Sequence, residues 1–168
     1  MRNIVGDYQW FQEGVGLLPI VEEVTLPDLK WKTEDYTGGG LAGTRSLKTI
    51  IDKLEVKVKV AGYDPRVQHA VGAMPGVAAN FKLMSSFVDP GADEKPQKIL
   101  ITGAVTESKR DAYKAGGKVM HEHTISDITY YEESFDGKEV IAFDIVNQIL
   151  RINGVDVMAQ RRRNTGRL

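Results

Sequence analysis

His121 and His123 have the side chains and the spacing that most readily suggest chemistry in this chain. Residues two apart on a strand share a face, so both imidazoles could hold one metal ion while Glu122 turns the other way. A metal centre needs three or four converging ligands, and His69 falls on a predicted helix at no fixed distance. Ordinary strand histidines are therefore expected, with a His121/His123 metalloenzyme as an alternative that elemental analysis would expose. Gly38, Gly40 and Gly43 satisfy G-x-G-x-x-G, and Gly38 to Gly43 has the spacing of a phosphate loop. Thr44 occupies the place where such a loop needs Lys, and no helix start is signalled there. Glu22-Glu23 and Glu132-Glu133 are adjacent residues that a strand sends to opposite faces, which removes them as acid/base partners. The chain has no cysteine, so thiolate nucleophiles, disulfides and cysteine-held zinc are excluded together. No catalytic set and no cofactor is expected. Trp10 and Trp31, with Tyr8 and Tyr36, could form the ligand platform of a β-sandwich binding module, a second alternative. Core and interface anchors are the preferred reading, because aromatics dominate both.

The elements that would position these groups are mostly strands. Leu54, Val56, Val58 and Val60 alternate with Lys53, Glu55, Lys57 and Lys59, following a change of phase near Ile50-Ile51 in the stretch from Leu47. A period of two is a half-buried strand with one wet face. Ala79 to Phe87, Gln97 to Thr106 and Val119 to Glu133 alternate in the same manner. Asp136-Gly137 suits the positive φ angles of a tight hairpin turn, returning the chain through Val140 to Ile145. One helix is signalled: Asp64 as cap, Pro65 in the first position, Val67, Ala70, Val71 and Met74 at helical spacing, with Gly72, Pro75 and Gly76 to stop it. The expected fold is mainly β, an antiparallel β-sandwich or partial barrel with one short flanking α-helix, in a single domain over residues 1–168. No apolar run approaches a membrane span and Met1-Arg2-Asn3-Ile4 does not open a secretory signal, so a soluble chain made in the cytoplasm is expected. The net charge of -1 argues against a general nucleic-acid binder. Charge is uneven, with a net of -4 over residues 1–40 and with Arg161, Arg162, Arg163 and Arg167 closing the chain.

Two segments carry a resemblance. Val24 to Gly43 couples a Leu-Pro-x-Leu turn to Lys30, Trp31, Lys32 and Tyr36 and then to Gly38, Gly39, Gly40, Leu41 and Gly43. The stretch from Phe143 couples Asp144 and Asn147 to Asn153, Gly154 and Asp156 and then to Arg161, Arg162 and Arg163. Joined by a strand-rich middle, these two ends resemble the family of major tail tube proteins of contractile bacteriophage tails and the related R-type phage-tail bacteriocins. The resemblance spans nearly the whole chain and is weakest from Met1 to Ile20. It implies a structural subunit, not an enzyme, with strands joining a continuous barrel as hexameric rings stack head-to-tail into a hollow tube. Implied partners are further copies, a tail sheath protein, and baseplate and tail-terminator proteins, with DNA or effectors passing transiently through the lumen and no membrane insertion. It also implies a place in the virion tail after assembly in the host cytoplasm. On this resemblance Lys30 to Thr44 is expected to be a flexible loop contacting neighbouring rings or the sheath. The C-terminal motif is expected to stabilise the fold or an interface. Phage, bacteriocin and secretion-type tubes are not distinguished. The chain departs from the family's ending by placing Arg167 before the final Leu, and from its glycine cluster by Leu41 where Met is frequent.

Overall fold

The computed structural model describes residues 4–17, 20–40, 42–71, 77–91 and 93–167. In chain order the elements are β1 (Ile4–Gln12), β2 (Val15–Gly16), β3 (Val21–Thr25), β4 (Trp31–Tyr36), β5 (Arg45–Ile51), β6 (Val56–Ala61), α1 (Pro65–Val71), β7 (Ala79–Val88), β8 (Lys95–Arg110), β9 (Met120–Phe135), β10 (Lys138–Asp144), β11 (Ile149–Ile152), β12 (Val155–Asp156) and α2 (Ala159–Asn164). No helix among the described residues is long and apolar enough to cross a membrane.

The main sheet runs β12-β11-β10-β9-β8-β7-β1-β2, and it forks at β9. On one side β9 pairs with β8 along nearly its whole length, from Arg110↔His121 to Gln97↔Phe135. Its other side takes β6 over Met120 to Ile125 and β10 over Tyr130 to Phe135, while β3 pairs in turn with β6. The change of partner coincides with a bulge: Asp127 has φ 52°, and the register to β8 shifts between Thr102 and Ala104. A bulge bends a strand and increases its twist. Gly103 sits opposite that bend, where a Cβ would come within 3.2 Å of Ile128 and of the Ser126 carbonyl.

Bent in this way, the strands wrap round one apolar centre. Val56, Val58 and Val60 of β6 meet Trp10 of β1, Phe81 and Leu83 of β7, Ile99 and Ile101 of β8, and Ile125 and Tyr131 of β9. Trp10 stacks on Phe81 with ring centroids 5.7 Å apart. The product is a partial barrel, left open where β1 and β3 face each other without a ladder across a cleft of about 340 Å³ lined by Val5, Tyr8, Val24 and Phe87. Helix α1 covers one end with Val67 buried, and the Asp64 carboxylate accepts from the Arg66 amide at 2.9 Å. Met74 and the expected helix-stopping residues lie outside the described residues.

Two expectations change. Lys30 to Thr44 is not a loop: β4 and β5 form a separate antiparallel two-stranded ribbon, with Tyr36 opposite Arg45 and only residues 37–44 turning. Its alternation is a true strand signal without a buried face, since both sides of its outer half are wet. A second helix, α2, closes the chain beside β11 and β12. It was not foreseen because Met158 stands at its N-cap without a side-chain cap.

Candidate functional site: an assembly surface

The histidine pair lies inside the barrel end, with His121 1% and His123 3% exposed. His121 Nδ1 lies 3.2 Å from Gln68 Nε2 of α1, while His121 Nε2 and His123 Nδ1 have no partner among the described residues. Burial, with His121 and Arg110 nearby, lowers the His123 pKa to about 4, so the ring is neutral at ordinary pH. Among the described residues no group of three or more His, Cys, Asp or Glu converges as a metal site would require. The pair forms part of the interior wall on which α1 rests.

The ribbon divides its residues between root and tip. At the root, Trp31 is half-buried against the core with Lys48 above its ring, and Lys32 pairs with Asp52 at 3.6 Å. The Lys30 carbonyl accepts from the Asp52 amide at 2.7 Å, closing the base, and the Lys30 ammonium lies 3.0 Å from Asp28. At the tip, Tyr36 is 56% exposed and Leu47 is 47% exposed. The Tyr36 ring lies over Gly38, whose missing side chain leaves it room, and Gly40 takes φ 87° in the turn. Gly39 and Gly43 face open space. Leu41 lies outside the described residues.

The C-terminal motif is a clamp. Asp144 accepts from the Asn147 amide at 2.9 Å and from its side-chain amide at 2.7 Å, fixing the turn between β10 and β11. Asn153 and Gly154, both at positive φ, make the tight turn into β12. Asp156 then accepts from the Met158 amide at 2.9 Å and meets Arg162 at 2.6 Å. The guanidinium of Arg162 also donates to the Gln148 carbonyl, so one side chain ties α2 to both β12 and the β10–β11 turn. That pairing holds the Asp156 carboxyl below the ordinary carboxylate range. Arg161 and Arg163 stay exposed. The sequence brings Asp144, Asn147, Asn153, Gly154 and Asp156 together as a motif, but it does not reveal that Arg162 works apart from its two arginine neighbours. The helical step that turns Arg162 back over Asp156 is the signal, and it becomes readable only once α2 is recognised.

Clamp and ribbon meet. Ile50 and Ile51 of the ribbon root, Phe143, Ile145, Ile149 and Leu150 of the β10–β11 hairpin, and Met158 and Arg161 line a groove of about 240 Å³. It lies where β6 and β10 diverge from β9. Ile50 and Ile145 are each about half exposed on its lip. Pre-formed, apolar and without convergent catalytic groups, it suits a protein contact.

Elsewhere several surface charges pair within the subunit. Glu23, Lys59, Glu122 and Lys109 stand side by side across β3, β6, β9 and β8, alternating in sign. Lys59 meets Glu23 at 2.7 Å, and Glu22 pairs with Lys118. Part of the acidic excess of the first forty residues is therefore already engaged.

Comparison with known proteins matches this arrangement. The family model for phage tail tube protein FII aligns with residues 2–166. The tail tube protein of Escherichia phage P2 is 30% identical over 161 residues, covering 93% of this chain and 92% of that protein. The major tail tube protein of Serratia phage KSP20 is 26% identical over 153 residues, covering 90% and 88%. Among solved structures, a chain of the sheath/tube terminator of an extracellular contractile injection system superposes with a TM-score of 0.60 at 9% identity, over 78% of this chain and 95% of that one. A chain of the corresponding sheath-tube complex gives the same score and identity over 76% and 87%. These last two establish a shared fold. On the match along its length the chain belongs to the phage tail tube protein FII family, and it is a structural protein of phage tails and not an enzyme.

Proposed function

We propose that this chain, acting as one domain, is the repeating subunit of the inner tube of a contractile tail, closing into hexameric rings that stack head-to-tail round a lumen for DNA passage. The observation that carries this reading is the number of unsatisfied strand edges in the isolated subunit. Among the described residues, β3 has a partner on one side only, the main sheet ends at β2 and at β12, and the ribbon β4–β5 pairs with no strand of that sheet. Exposed edges invite pairing with another chain, and ring closure between identical subunits removes them without an open-ended aggregate. The ribbon adds a second argument, since an isolated two-stranded hairpin is marginal in water and this one holds Tyr36 and Leu47 out at its tip. Lys30, Trp31, Lys32, Tyr36 and the glycines Gly38, Gly39, Gly40 and Gly43 then form or support a contact between rings or with the sheath. The C-terminal clamp supports a second contact.

The partners on this reading are further copies, the tail sheath protein, and the baseplate and terminator proteins at the tube's ends. Assembly takes place in the host cytoplasm without insertion into a membrane. Electron microscopy of the purified protein tests the proposal: rings or hollow tubes with sixfold end views are expected. A monodisperse monomer at high concentration, with neither rings nor tubes, would overturn it.

A further inference from the structure

The groove at the fork of the sheet presents apolar walls under a basic rim. Arg161 lines it, and Arg163 stands exposed on the same short helix. Of the acids closest in sequence to this rim, Asp156 is paired with Arg162, while Asp144 lines the groove and keeps its charge in hydrogen bonds to the neutral Asn147, so the two exposed arginines face one carboxylate. An occupant of this groove should therefore bring apolar side chains with acids beside them.

The subunit carries such a surface at its other end. Ile4 and Val5, at the start of β1, are 47% and 50% exposed. They lie in register with Val88 and Phe87 of β7, next to the turn that leads into β8. Asp7 is opposite Ser86, whose hydroxyl donates to Glu94, and Asp93 is exposed in the same turn. Lys95 is the one basic residue beside them on β8. Among the described residues the outward edge of β1 has no strand partner over Ile4 to Trp10.

We propose that this acidic, apolar edge of one copy docks in the arginine-rimmed groove of the next. Ile4 and Val5 would meet Ile50, Ile145 and Ile149, while Asp7, Asp93 and Glu94 would face Arg161 and Arg163. Two different surfaces meeting in this way form a heterologous contact, the kind that propagates into rings or stacks with one polarity. Like charges meeting at a reversed contact would disfavour the wrong orientation. The proposal rests on the tube reading and adds to it the identity of the two faces.

Charge reversal tests it. Arg161→Glu with Arg163→Glu, and separately Asp7→Lys with Asp93→Lys, should each slow tube elongation about fivefold or more at low salt, read by light scattering. The four changes together should restore most of the rate. Arg162 is left untouched because it holds the subunit itself together. The absence of cysteine permits a second measurement: Val5→Cys with Ile145→Cys should give disulfide-linked ladders of subunits on oxidation, and neither single variant should go beyond a dimer. Additive slowing in the fourfold variant, or no ladder from wild-type-like tubes, would overturn the assignment while leaving the tube reading intact. Failure of the unmodified protein to form rings or tubes would instead count against the tube reading.

Discussion

Arg162 shows how one residue can hold up a surface it does not itself present. Removing its guanidinium would free Asp156 and the Gln148 carbonyl together, and hydrogen bonds to charged groups are worth about 1.5–3 kcal/mol. Arg162→Met should therefore lower the urea midpoint by an amount corresponding to about 2 kcal/mol, whereas Arg161→Met should leave it nearly unchanged. Equal effects from the two would mean that the clamp is incidental. His123 is a second case. In the folded chain it takes up a proton near pH 4, against about 6.5 when unfolded. Between those values the unfolded state binds more protons, so stability falls as pH drops through the window, by about 3 kcal/mol in full. The groups packed round the pair offer nothing to compensate: Gln68 from α1, Ser108 and Arg110 from β8, and Tyr63, whose ring meets His121 edge-on, include no carboxylate. Wild-type protein should lose melting temperature steeply between pH 6.5 and 4. His123→Leu should flatten that slope, and a parallel profile in the variant would assign the titration to another group.

Among the elements, the fork of β9 depends on Gly103. Alanine there would press its Cβ on Ile128 and the Ser126 carbonyl at about 3.2 Å, where the backbone has little freedom to yield. Gly103→Ala should destabilise by about 1–3 kcal/mol in chemical denaturation, and a neutral result would mean that the bend tolerates more adjustment than its packing suggests. No sequence pattern announced this position. What could be read were the elements whose signals are local: the Asp136-Gly137 hairpin, the alternating cores of β6, β7, β8 and β9, and the Asp64-Pro65 start of α1. Strand ends were less legible, and β8 runs four residues beyond the expected Thr106 to Arg110 because it continues past the bend. The ribbon looked like a loop because strand alternation is normally recognised by its buried side, and Lys32, Glu34 and Tyr36 have none. The groove was hidden for another reason: Ile50 and Ile145 come from distant parts of the chain, and only the fork brings them together. The C-terminal motif was legible as a set of residues, but its division into a turn, a hairpin and a clamp required the fold.

At the scale of the whole molecule, both broad sheet faces mix their charges. Glu23, Lys59, Glu122 and Lys109 alternate across one, while Lys82, Lys98, Glu132, Glu139 and Arg151 share the other. In the proposed tube, whichever of these faces turned inward, the passage would lack the concentrated positive charge that releases counterions from a duplex. Assembled tubes should bind free duplex DNA negligibly at physiological salt in a filter or mobility assay, and submicromolar affinity that weakens steeply with salt would contradict this. The order of pairing along the chain also sets a timetable. Trp10 of β1 waits for Leu83, and Val58 of β6 waits for His123, so the longest ladders of the early strands close on strands made much later. Such non-local pairing places folding in the slow range of milliseconds to seconds. On the proposed docking, the β1 edge at Ile4 and Val5 is made before the Phe143 to Arg161 part of its acceptor. A growing chain would then offer a plug before it had a socket, and polymerisation by this contact would wait until the C-terminal clamp had been made and folded.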